Sequence, residues 1–251
     1  MQIVIMGSGN VATVLGRLCK QNGHQVIQII SRQVAHAKLL ADELNCAYAD
    51  YNDTMNPNAD LYIVAVADTA LNDLNKNIDL KNKLILHTAG SVSKEVLKKI
   101  SVNYGVLYPL QSLRKEMVYT PEIPFLIDGN TNETKTLIED FAKTLSPNVS
   151  GATDEERLKL HVAAVIVSNF TNHLYAIAED FCRHENVNFD LLKPLILETA
   201  TRIKYSSPGA LQTGPAVRKD IQTLDKHLRL LTNYPKLRTT YLRLTDSIMN
   251  P

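Results

Sequence analysis

Cysteine is scarce in this chain of 251 residues: Cys19, Cys46 and Cys182 lie far apart and form no C-x-x-C pair, so neither a disulfide framework nor a zinc site is indicated. A surplus of one charge is lacking too. The formal net charge of +1 gives no electrostatic basis for binding nucleic acid or an acidic membrane surface, and small molecules are the expected partners. Long apolar runs are also missing. The longest aliphatic run, Val162 to Val167, falls far short of the ~20 residues that span a bilayer. No basic n-region and apolar h-region precede the first strand at Gln2 or Ile3, so the cytoplasm is the expected location. Internal repeats and low-complexity segments are absent as well. What remains is an ordinary globular composition, with 45% hydrophobic and 21% charged residues and enough length for one large domain or two ordinary ones.

Residues Met1 to Arg32 read as strand, glycine turn, helix and second strand. The apolar run Ile3-Val4-Ile5-Met6 enters Gly7-Ser8-Gly9-Asn10-Val11-Ala12, the dinucleotide fingerprint G-x-G-x-x-G/A with alanine in its last place. Gly7 permits the tight turn, Gly9 lets the backbone approach a pyrophosphate, and Ala12 lets the following helix, Val11 to Gln21, pack closely on the strand. Free N–H groups and the helix dipole then attract phosphate. The second strand, His24 to Ile30, ends in Ser31-Arg32, where an NAD-binding chain places a carboxylate on the ribose 2′-hydroxyl. A hydroxyl beside a guanidinium suits a 2′-phosphate instead, so NADP is the expected cofactor; otherwise Arg32 is a solvated residue after a strand.

Gln33 to Asn45 has helical spacing, and Cys46 to Tyr48 suits a short strand. The apolar run Leu61 to Ala67 is the pattern of a strand buried on both faces of a parallel sheet. Its end places Val66, Ala67 and Asp68 at the ligand crevice, with Asp68 either bordering the cofactor or capping a helix from Ala70 to Asn75. Leu84 to Leu86 is another buried strand, ending in His87-Thr88-Ala89-Gly90-Ser91 before a helix from Ser93 to Ile100. There His87 either exchanges a proton with a carbonyl or imine or is held by backbone hydrogen bonds. Two further strands, Val106 to Tyr108 and Pro124 to Ile127, precede a helix from Thr131 to Leu145, and Pro147 to Gly151 is turn-rich. A domain boundary is expected at 151, giving a dinucleotide-binding domain of residues 1–151 and a helical domain of residues 152–251.

Thr153-Asp154-Glu155-Glu156 is a capping box that opens a long helix to about Asn186. Val162 to Val167 is apolar on nearly all sides and should be buried or packed on a partner chain. At a hundred degrees per residue, His161, Ser168 and Asn172 share a narrow stripe with Asn169 beside them. Such a stripe must meet water, neighbouring helices, another chain or a ligand. Farther on, Phe189 to Tyr205 is helical, with Pro194 marking a kink or fresh start. Gln212 to Asp220 is a loop that either closes over a pocket, with Arg218 meeting a substrate carboxylate or phosphate, or leaves Arg218 solvated and Asp220 capping the helix Ile221 to Leu231. Pro235 suits the first turn of a final helix to about Met249.

The glycine fingerprint, Leu86 to Ser91, Tyr108-Pro109-Leu110-Gln111-Ser112, Leu160 to Ala164 with Ser168-Asn169-Phe170, and Thr213 to Asp220 with His227-Leu228 together resemble a known group. It is the Rossmann-like family whose carboxyl-terminal half is a domain of unknown function, with pyrroline-5-carboxylate reductase and the deazaflavin-dependent NADP oxidoreductases as wider relatives. The resemblance covers nearly the whole chain. It implies an α/β fold in which a mostly parallel Rossmann-type domain precedes an all-α domain that commonly dimerises, and an NADP-linked oxidoreductase. Related hydroxyacid dehydrogenases carry Lys and Asn four residues apart on the helix after that domain, whereas Lys159 is followed at that distance by Ala163. Their lysine is therefore not carried onto Lys159, and His87, His161 and Asn169 are the catalytic candidates, with Ser168, Asn172 and Arg218 as substrate contacts. The expected function is NADP(H)-dependent reduction of a small keto or imino compound. A dinucleotide-binding sensor or scaffold without turnover is the rival, and a helical dimerisation module with a degenerate nucleotide fold is the third reading.

Overall fold

The computed structural model describes residues 1–74, 78–117 and 119–250. They divide into two compact units, Met1–Asn169 and Phe170–Pro251. The first is built on an eight-stranded sheet: β1 Gln2–Met6, β2 Gln25–Ile30, β3 Ala47–Ala49, β4 Leu61–Val64, β5 Lys81–His87, β6 Ser101–Pro109, β7 Phe125–Gly129 and β8 Val149–Gly151. Their order is β3-β2-β1-β4-β5-β6-β7-β8, parallel throughout except where β6 meets β7. The chain leaves β1 toward β2 and β3, then returns to the other side of β1 for β4. That reversal is the switch point at which open α/β sheets hold their ligands.

The central strands are apolar on both faces because helices or loops cover each. Ile3, Ile5, Leu61 and Ile63 pack into one core with Leu15, Leu40, Phe141 and Ile138 from the helices α1 Asn10–Gln21, α2 Val34–Leu44 and α4 Asn132–Leu145. Val4, Met6, Tyr62, Val64 and Ile85 form the core of the opposite face with Leu71, Leu97 and Ile100. Burying such side chains is worth roughly 1.5–3 kcal/mol each, which makes this sheet a rigid base for what stands on its edge.

Several expected elements are altered. β8 occupies the stretch read as turns, pairing Val149 with Phe125. The helix expected over Ser93 to Ile100 shrinks to a 3-10 turn, Lys94–Leu97, capped by the Ser93 hydroxyl, because β6 already begins at Ser101. α3, Asp68–Leu71, starts two residues before the expected Ala70, and Asn75 lies outside the described residues. Asp68 is thus inside the first turn and Ala67, not Asp68, is the N-cap. The capping box is present: Thr153 accepts from the Glu156 N–H and the Glu156 carboxylate accepts from the Thr153 N–H. Its helix, α5 Asp154–Ala164, passes into a π turn, Val165–Phe170, before α6 Thr171–His184. Hydrogen bonding i→i+5 winds that turn differently from an α-helix, so the hundred-degree stripe is not continuous past it. Val162, Ile166 and Val167 are 55%, 53% and 71% exposed.

The second unit contains helices α6, α7 Lys193–Arg202, α8 Ile221–Leu230 and α9 Pro235–Met249. Pro194 and Pro235 both sit in a first helical turn, so Pro194 marks a fresh start after the 3-10 turn Phe189–Leu192. Asp220 caps α8 by accepting from the Thr223 N–H, and Arg218 is exposed. Among the described residues, no helix is long and apolar enough to cross a membrane.

Candidate active site

The turn after β1 is held by one backbone bond, from the Gly7 N–H to the Ile30 carbonyl at 2.7 Å. Gly7 has φ +126°, and a Cβ there would stand 2.1 Å from the Ala65 carbonyl oxygen. Only glycine meets both demands. Gly9 is different: a Cβ there would meet nothing within 4 Å, so the backbone of this residue faces open space at the N-terminus of α1. The first turn of α1 carries no acidic residue, which leaves its N–H groups and dipole free to receive an anion. Ala12 is fully buried against the sheet. Val11 is half-buried, and Asn10 is exposed, its side-chain oxygen accepting from the Lys115 N–H at 3.3 Å.

Ser8 donates to the Ser31 hydroxyl at 2.8 Å, tying the glycine turn to the end of β2. Ser31 is buried and Arg32 exposed. Beside them is a cleft of about 270 Å³ lined by Arg32, Tyr51, Asp53, Met55, Asp73 and Leu74 among others. Burial pushes the Tyr51 phenol above its ordinary range, with the nearby Arg32 charge opposing. At the end of β4, Val66 is half-buried, Ala67 and Asp68 are exposed, and the Asp68 carboxylate accepts from the Ser91 hydroxyl.

His87 ends β5 but does not reach a cavity. It is fully buried, its Nδ1 accepts from the Ala89 N–H at 3.2 Å, and its Nε2 has no partner among the described residues. Burial, reinforced by the Arg157 charge, pushes its pKa down to about 4. His87 is therefore a neutral imidazole at physiological pH, with one ring nitrogen bound to the backbone. Stability follows from the sign of this shift. The unfolded chain takes up the proton first as pH falls through 6.5, so between pH 6.5 and 5 His87 should remove about 2 kcal/mol of stability. Urea unfolding of the wild type against His87→Gln over that range isolates the effect as the extra slope of the wild type.

Arg157, on α5, was not visible as a functional residue in the sequence. It is 1% exposed, donating from Nη2 to the Val92 carbonyl and, at 2.7 Å, to Asp154. Asp154 also accepts from Ser93. Burial opposes its charge, but those hydrogen bonds hold its carboxyl below the usual range. Together they clamp the segment that follows Gly90.

The side chain that sequence reasoning missed most plainly is Tyr108, near the end of β6. Its hydroxyl lies 2.9 Å from His161 Nδ1, with the rings edge to face and 5.9 Å between centroids. Gly90 makes the meeting possible, since a Cβ there would stand 2.7 Å from His161 Nδ1. Burial raises the Tyr108 pKa, with the Asp68 charge adding and Arg157 opposing. The pair forms one wall of a cavity of about 470 Å³, also lined by Gln111, Ser112, Ser168 and Asn169. His161, Ser168 and Asn169 are thus brought together as expected. Asn172 and Arg218 belong to the second unit and do not line this cavity.

Strand order 3-2-1-4-5-6 with a glycine turn after β1 defines a Rossmann-type dinucleotide-binding domain. Residues 2–90 match the model described as NADP oxidoreductase coenzyme F420-dependent. The chain belongs to the family described as a domain of unknown function (DUF2520), whose model matches residues 123–248. A Bacteroides fragilis protein described as a candidate NADP oxidoreductase is 36% identical, with TM-score 0.91 over 100% of this chain and 98% of that one. At 15% identity and TM-score 0.66, the 1-pyrroline-5-carboxylate reductase of Streptococcus pyogenes shares the fold over 100% of this chain and 99% of its own. So does an Aspergillus terreus reductive aminase in complex with NADPH and ethyl levulinate, at 17% identity and TM-score 0.68 over 98% and 92% of the two chains. No curated protein matches the chain.

Proposed function

We propose that this protein is an NADP(H)-dependent oxidoreductase that reduces a small keto or imino compound. The observation that carries the reading is positional. The Gly7–Gly9 turn follows β1, Asp68 follows β4, Gly90 follows β5 and Tyr108 lies at the end of β6, all on the carboxyl edge of four successive parallel strands. A dinucleotide held along that edge would have the Arg32 cleft on one side of the switch point and the Tyr108–His161 pair on the other. The residues fit the cofactor: Gly9 opens a backbone approach, the first turn of α1 offers free N–H groups, and Arg32 is the cation among the described residues lining its cleft, which Asp53 and Asp73 also border. Gly7, Ser8, Gly9, Asn10, Val11 and Ala12 would hold the pyrophosphate, and Ser31 and Arg32 the 2′-phosphate. Val66, Ala67 and Asp68 would border the dinucleotide farther along.

When bound, the nicotinamide would supply the hydride. The chain supplies the proton and the place. The Tyr108 hydroxyl gives its proton to the substrate oxygen or nitrogen, and His161 Nδ1 returns one to it. The half-exposed His161 ring then exchanges with solvent. Asn169 and Ser168 orient the substrate from the helical side of the cavity.

Arg32→Ala tests the cofactor assignment. Losing a charge-assisted contact should weaken NADP about tenfold or more and NAD by less than about twofold. Equal losses, measured by calorimetry, would mean that Arg32 does not meet the 2′-phosphate.

Homodimerisation through the helical unit is the assembly we propose. Leu191, Leu195, Leu197, Ile203 and Tyr205 of that unit are between 56% and 84% exposed, an apolar display that a second copy would cover. Light scattering at the monomer mass would contradict it.

A further inference from the structure

We propose that the cavity beside Gly90 takes an uncharged carbonyl compound with a short apolar chain, and selects against the corresponding carboxylate. The inference rests on the oxidoreductase reading and narrows its substrate class. It comes from the charge of the walls. The polar side chains that line the cavity are Tyr108, Gln111, Ser112, His161, Ser168 and Asn169; the remaining wall is leucine, valine and alanine. Among the described residues, neither lysine nor arginine lines it.

Charged groups stand behind this wall, and they do not change its sign in favour of an anion. Arg157 is a buried cation whose Nη2 is held by Asp154 and the Val92 carbonyl, while its enclosed Nε and Nη1 have no partner among the described residues and do not line the cavity. Asp68 and Arg157 act on the Tyr108 phenol in opposite senses, Asp68 the more strongly, so the charges behind the wall give an entering carboxylate no net attraction. Hydroxyl and amide donors can hydrogen-bond a carboxylate but cannot neutralise it, and a desolvated anion without a charged partner is disfavoured. A neutral carbonyl asks for less. Its oxygen accepts one hydrogen bond from Tyr108, while Leu160, Val165 and Val167 on the helical side and Leu110 on the loop receive the chain. A volume of about 470 Å³ suits a small molecule.

Two probes that share a ketone and differ at the far end separate the alternatives, with Ser112→Arg isolating the effect of charge from that of the added ethyl group. Ethyl levulinate and levulinate carry the same ketone on the same chain, one ending in an ester and the other in a carboxylate. Both are titrated by calorimetry into the wild-type protein saturated with NADP, and into Ser112→Arg, which places a cation on an exposed loop of the wall. In the wild type the ester should bind at least tenfold more tightly than the acid. In Ser112→Arg that ratio should fall at least tenfold, toward or past equality, at an unchanged melting temperature. Equal or tighter binding of the acid by the wild type overturns the proposal. Absence of binding by either probe does so too, and so does a ratio that Ser112→Arg leaves unmoved. Failure of NADP itself to bind, read in the first titration, is instead the failure of the cofactor assignment, and the substrate proposal falls with it.

Discussion

Replacing Tyr108 with phenylalanine is expected to lower the rate of NADPH-dependent reduction by about 100-fold or more while leaving NADPH affinity within about twofold, because a positioned general acid contributes roughly that factor. The substitution removes one oxygen atom. The ring keeps its place against β7 and the buried Ala152 and Leu126, so the loss reads the hydroxyl and not the packing. His161→Ala should cost less in rate than Tyr108→Phe, since solvent can return a proton to Tyr108 more slowly than the imidazole does. If Tyr108→Phe keeps the wild-type rate, the phenol does not deliver the proton. Single-turnover measurements with saturating NADPH make this comparison without interference from product release.

Gly7→Ala is expected to be the most damaging single change in the glycine turn. Its φ of +126° is one an alanine rarely adopts, and the new Cβ would stand 2.1 Å from the Ala65 oxygen. Backbone at the end of β4 would have to move, at a cost of about 3 kcal/mol or more. Both the turn and the crevice edge at Ala65–Val66 would shift, so NADP binding should be lost even where the protein still folds. Gly9→Ala is the informative contrast. A Cβ at Gly9 meets no protein atom, so stability should change little while NADP affinity falls. Equal stability losses in the two variants, measured by urea unfolding, would remove the distinction between a glycine needed for the turn and one needed for a ligand.

The sheet was largely legible because its signals are local. A glycine fingerprint after a short apolar strand, and strands apolar on both faces, follow from the parallel architecture that buries them. Thr153 with Glu156 was equally readable, since a capping box is contained in four residues. What escaped depends on contacts distant in sequence. Arg157 sits among Asp154, Glu155 and Glu156 and reads as part of a solvated face, yet it is buried because the Val92 carbonyl and Asp154 receive it. Tyr108 reads as one more strand residue until Gly90 and His161 arrive from elsewhere to meet it. Its place near the end of a parallel strand, just before Pro109, was the available signal. His87 was located correctly at a strand end, but burial, which periodicity does not reveal at a terminal position, makes it neutral and unreachable. The π turn altered the helical stripe for a similar reason: nothing in Val165 to Phe170 departs from ordinary helix-forming sequence strongly enough to announce i→i+5 bonding.

Thermal melting of the wild-type protein with increasing NADP tests the central claim most directly. A ligand of the native state stabilises by RT ln(1 + [L]/Kd), about 2.7 kcal/mol at a hundred times Kd, which corresponds to a rise of roughly 5–10 °C for a chain of this size. NADP should give such a rise, and NAD a smaller one at the same concentration. No rise with either nucleotide at millimolar concentration would contradict it.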